Sequence, residues 1–104
     1  MPQYTIDDYG LQLEAGPTIG GRRALFSCRS AGTLRGWIAF YDDGASIAGP
    51  SVDESGRITL TFPMSRYAAV MDVLRNEKPV RLYYNSPTFA GLSISGEPVG
   101  EQEA

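Results

Sequence analysis

The stretch 57–85, RITLTFPMSRYAAVMDVLRNEKPVRLYYN, decides the fold, because it alone carries a strand pattern, a helix pattern and a second strand pattern with stop signals between them. Ile58, Leu60 and Phe62 alternate with Thr59 and Thr61, which puts three large apolar groups on one face of a strand and two β-branched hydroxyls on the other. At Pro63 the period changes. Tyr67, Val70, Met71 and Leu74 then recur at helical spacing, with Arg66, Ala69, Asp72 and Asn76 on the opposite side, which predicts one amphipathic helix over about 64–76. Ser65 is the expected N-cap, and Asn76 with Pro79 supplies the stop. After Pro79 the alternation returns, Val80, Leu82 and Tyr84 against Arg81, Tyr83 and Asn85.

Working outward, Tyr4 and Ile6, then Tyr9, Leu11 and Leu13, form two alternating runs whose phase slips across Asp7, Asp8 and Gly10, as a bulge or a bend near Gly10 would produce. The segment 16–21, GPTIGG, reads as a connection, and it lacks the Lys and Ser or Thr of a phosphate loop. In 23–30, Ala24, Phe26 and Cys28 are expected toward the core, and Arg23, Leu25, Ser27 and Arg29 away from it. A turn at 30–33 and a strand at 34–41 complete a hairpin. Trp37, Ala39 and Tyr41 oppose Ile38 and Phe40 there, so both faces of that strand carry aromatics. The segment 42–56 has three turn signals, with Ser46–Ala48 a candidate short strand, and the last strand falls at 89–95. The expected fold is α+β: a mostly antiparallel sheet of about six strands in the order ββββαββ, with the helix on one face. That order resembles the topology of small single-stranded DNA-binding modules, although no residue motif carries the resemblance.

One domain over 1–96 with a frayed acidic tail at 97–104 accounts for the 104 residues, enough chain to bury a core without metal or disulfide help. A single cysteine, no leader pattern and no long apolar run point to the reducing cytoplasm and away from the membrane. Net charge is −3, unevenly spread: the nine basic residues all lie within 22–81, alongside six acids, and the other six acids occupy the two ends. The middle is therefore about +3, which leaves room for a local cationic face.

Candidate chemistry is sparse. Neither His nor a second Cys is present, which removes the usual zinc sites and the histidine-dependent hydrolases, so no catalytic residue, metal ligand or cofactor is expected. Asp42-Asp43 and Asp53-Glu54 sit beside Gly in turns, where carboxylate pKa values stay ordinary, and Cys28 reads as a small buried hydrophobe. The remaining candidate is a face of arginines and aromatics, Arg23, Arg29, Arg35, Trp37, Tyr41, Arg81 and Tyr83, with Arg22 beside them. Guanidinium groups interleaved with rings suit single-stranded nucleic acid first, and as the alternative a protein partner or a second copy of the chain through the same face. The function expected is therefore a non-enzymatic binding domain, with the homodimer as one of its forms.

Overall fold

A computed structural model describes residues 2–16 and 19–95. Eight strands and one helix appear: β1 (Gln3–Ile6), β2 (Asp8–Leu13), β3 (Arg22–Ser30), β4 (Thr33–Tyr41), β5 (Ser51–Val52), β6 (Ile58–Pro63), α1 (Tyr67–Asn76), β7 (Val80–Ser86) and β8 (Phe89–Ile94). The class is α+β, and the pairing is antiparallel everywhere except between β4 and β6. The strand number and the single sheet need correction. Five strands, in the order β2-β3-β4-β6-β5, form one sheet, and β1-β7-β8 form another.

The additional strands have identifiable causes. The run at 4–13 breaks at Asp7, not at Gly10, so β1 joins the small sheet while β2 stays in the large one. Asp7 donates its N–H to the Arg29 carbonyl at 3.0 Å, and its carboxylate accepts the Ala31 N–H at 3.0 Å, which holds both the break and the β3–β4 turn. That turn uses Ala31 at φ 51 and Gly32 at φ 82, the left-handed pair that matches hairpin twist. In 42–56 the short strand is Ser51–Val52, and Ser46–Ala48 is irregular, held by a 2.6 Å bond from the Thr61 hydroxyl to the Ala48 carbonyl. The tail expected at 97–104 lies outside the described residues.

The helix begins as a 3₁₀ turn, Met64–Arg66, before α1 proper. Ser65 does not cap it with its side chain. Its N–H instead donates to the Asp43 carboxylate at 3.1 Å, so the acid that neutralises the first turn comes from a distant loop. Val70 is buried, and Tyr67, Met71 and Leu74 pack against the core, as the helical stripe requires.

Between the layers, the large sheet contributes Ala24, Phe26, Cys28, Ile38, Phe40, Ile58 and Leu60, and the small sheet Ile6, Val80 and Leu82. Phe26 and Phe40 meet edge to face at 5.8 Å, and Tyr67 from α1 lies 5.9 and 5.2 Å from them. The helix and the small sheet thus share the inner face of the large sheet. None of the described elements packs over its outer face.

Candidate binding face

Strand alternation places Arg29, Ser27 and Leu25 of β3, Trp37, Ala39 and Tyr41 of β4, and Thr59 and Thr61 of β6 on the outer face of the large sheet. Arg29 lies across β2, its Nη1 3.9 Å from the place a Cβ on Gly10 would occupy. In the middle is a shallow recess of about 260 Å³ lined by Arg22, Leu25, Trp37, Ala39, Tyr41 and Thr59. Ala39 at its floor is only 3% exposed, so neighbouring side chains already close over the centre of the face.

Three of the seven residues expected on one face share this one: Arg29, Trp37 and Tyr41. Arg23 is the extra residue of a bulge between Arg22 and Ala24 and turns to the sheet margin, where it bonds Asp42 Oδ1 at 2.8 Å and the Gly16 carbonyl at 3.2 Å. Arg35 is displaced by a second bulge, and its guanidinium sits 4.7 Å over the ring of Tyr4 in the other sheet, with Nε buried and unbonded. Arg81 and Tyr83 belong to β7, on the outer side of the small sheet, where Arg81 bonds Ser95 and Tyr83 packs on Phe89 at 5.5 Å. The expected single face is therefore divided between two sheets.

One residue that the sequence reading left out joins the face. Arg57 stands 5.6 Å over the ring of Trp37. Its parity with Thr59 and Thr61 was a usable signal, but only the parallel pairing of β6 with β4 brings it to Trp37.

The electrostatics of the face are balanced. Arg22 grips Glu14 with two hydrogen bonds, and Arg57 reaches Asp53 Oδ2 at 3.2 Å. The bond from Arg22 holds the Glu14 carboxyl below its ordinary range, as the N–H groups of Arg57 and Ser55 do for Asp53. A depressed folded-state pKa stabilises the fold above the unfolded value and ceases to do so as pH falls through the folded one. The urea midpoint is accordingly expected to be flat from about pH 7 to 5 and to drop toward about pH 3. Glu14→Gln should shrink that drop, and an unchanged pH profile would show that the pair contributes nothing. Arg29 alone on this face has no carboxylate within ion-pair distance among the described residues.

The other sequence candidates have structural duties. Asp53 Oδ1 accepts the Ser55 and Arg57 N–H groups at 2.9 Å each, closing its own turn, while Asp42 holds Arg23. Cys28 is fully buried and burial pushes its thiol up to about 12, so it stays protonated and unreactive. Among the described residues no group of His, Cys, Asp and Glu could hold a metal ion. No helix there is long and apolar enough to cross a membrane. A larger cleft of about 530 Å³ lies between the β1–β2 break and the end of α1, lined by Asp7, Asp8, Glu77, Arg75 and Lys78 among apolar groups. Charges of both signs there select no ligand chemistry. Set against protein-family models, curated proteins and solved structures, the chain matches none of them.

Proposed function

We propose that the protein is a non-enzymatic interaction domain that self-associates through the outer face of its five-stranded sheet. The observation that carries this reading is an uncovered sheet face with Trp37, Tyr41 and Leu25 at its centre and arginines already neutralised at its margin. A face that meets its own copy across a twofold axis must tolerate its own charge, and a balanced one does. Arg29 and Asp8 occupy opposed positions in the β2–β3 ladder, so a second copy inverted by the axis can offer carboxylate to guanidinium twice. Five strands about 4.8 Å apart and some six residues long cover about 500 Å² per copy, so two copies bury about 1,000 Å², the lower end of specific interfaces.

Single-stranded nucleic acid fits this face less well, because phosphate would have to displace Glu14 and Asp53 from their arginines. Light scattering over a dilution series is expected to give a mass near twice 11.3 kDa, and Trp37→Lys a monomer with unchanged circular dichroism. A monomer at millimolar concentration sinks the self-association reading. Salt-sensitive anisotropy changes with a single-stranded oligonucleotide, abolished by Arg29→Glu, would transfer the face to nucleic acid.

A further inference from the structure

β8 ends the three-stranded sheet, and among the described residues no strand lies on its far side. Hydrogen-bond parity identifies which of its main-chain groups are left over. Tyr84 donates its N–H to the Pro2 carbonyl at 3.1 Å, so along β7 the groups of Val80, Leu82 and Tyr84 turn toward β1, and those of Arg81 and Tyr83 toward β8. Ser93 and Gly91 answer them across the ladder. Ala90, Leu92 and Ile94 therefore direct N–H and C=O away from the sheet, offering a ladder to another strand.

Beside this edge a cleft of about 310 Å³ separates β8 from α1, walled by Phe62, Ala69, Val70, Val73 and Leu92. Tyr83 forms its rim by lying across Gly91, where its hydroxyl would be 3.3 Å from an added Cβ. A Cβ at 91 would require the ring to give by a few tenths of an ångström. At the start of α1 the cleft ends on Arg66, which has no acid partner among the described residues, and no carboxylate lines the cleft. The free strand edge, the apolar trough and the lone guanidinium lie side by side. Each on its own is common; together they specify the shape, polarity and charge of one occupant.

We propose that the cleft between α1 and β8 binds an extended peptide, added to β8 as a further strand, with an apolar side chain in the trough and a carboxylate against Arg66. Main-chain bonds to Ala90 and Leu92 hold the peptide in line without regard to its sequence. The trough and Arg66 then select an apolar residue and an acid, the acid being a side chain or a free C-terminus, both of which fit the guanidinium fork. The site is independent of the outer face of the large sheet.

The test pans the intact protein against a phage-displayed library of random decapeptides and titrates the enriched sequence, as a labelled synthetic peptide, by fluorescence anisotropy. An apolar peptide with an acid or a required free C-terminus is expected. Arg66→Glu and Ala69→Arg, both at exposed helix positions, should each weaken it about tenfold or more. Ala90→Pro removes one outward N–H and no bond to β7, and should weaken it similarly. Trp37→Lys should leave peptide affinity unchanged, which separates this site from the self-association face. Failure to enrich any peptide overturns the proposal, as does binding indifferent to Arg66→Glu and Ala69→Arg, or binding lost with Trp37→Lys. Light scattering in which Ala69→Arg converts a dimer to a monomer would also overturn it, since the cleft would then belong to a second copy.

Discussion

Gly36→Ala is expected to destabilise the protein by about 3 kcal/mol or more, and so to lower its melting temperature by at least about 12 °C. A Cβ at residue 36 would stand 2.2 Å from the Ile58 carbonyl oxygen and 2.8 Å from Leu82 Cδ2. The carbonyl is backbone of the parallel neighbour, and β4 is bonded to strands on both sides, so neither can retreat without loss of the ladder. The Leu82 side chain fills the same space from the small sheet. Gly10→Ala is the control. Its nearest neighbour would be 3.9 Å away, so that change should be close to neutral. Thermal unfolding followed by circular dichroism measures both, and a shift under about 3 °C for Gly36→Ala would discredit the packing described.

Phe26→Ala is expected to cost about 3–5 kcal/mol, because the ring is fully buried and the hole it leaves is bounded by groups fixed from three directions. Tyr9 of β2 lies 5.7 Å from it, Phe40 of β4 5.8 Å and Tyr67 of α1 5.9 Å, centroid to centroid. Each belongs to a different element, so collapse onto the cavity would require a strand and the helix to shift together. Total stabilities of domains this size run to about 5–15 kcal/mol, so the variant sits near its unfolding transition at room temperature. Phe26→Leu should recover most of that stability and cost only about 1–2 kcal/mol. Urea unfolding reads both. A loss for Phe26→Ala as small as that for the half-buried Trp37→Ala would mean that the core is not where the rings are.

Those two positions also mark how legible the fold was. Phe26 announces itself, since the alternation of Ala24, Phe26 and Cys28 gives the buried face directly. The unit from β6 through α1 to β7 was equally legible, because its periods change at Pro63 and Pro79 and both periods are local properties. Gly36 carries no such sign. Its necessity arises from Ile58 and Leu82, which meet it only after β6 has paired parallel to β4 and the small sheet has closed over both. The separation of β1 from β2 is of the same kind: a phase slip in 4–13 is visible, but which sheet each half joins depends on β7.

The site was less legible for a related reason. Alternation correctly groups Arg29, Trp37 and Tyr41, yet one inserted residue reverses the parity of everything beyond it. The bulges at Arg23 and Arg35 remove two arginines from the face, and Arg35 ends against Tyr4 in the opposite layer. Arg81 and Tyr83 alternate in the same fashion as the others, but on a strand of another sheet. The acids that neutralise Arg22 and Arg57 are fixed by tertiary pairing, and so is the cleft at Arg66, whose second wall lies more than twenty residues along the chain.

The break at Asp7 bears on the order in which the molecule assembles. β1 pairs Gln3 with Tyr83 and Ile6 with Val80, so the first strand of the chain finds its partner only near the other end. During synthesis β2, β3 and β4 can zip from the Ala31–Gly32 turn while β1 hangs unpaired, tethered one residue away through Asp7. The β1–β7 pairing is expected to form after the local hairpins, since partners so far apart in sequence pay the largest loop entropy before any contact rewards them. Mechanical extension from the N-terminus would act in the reverse sense: a pull on Gln3 loads the β1–β7 ladder first, and the two hydrogen bonds of Asp7, to Ala31 and Arg29, are the next to bear load before the hairpin.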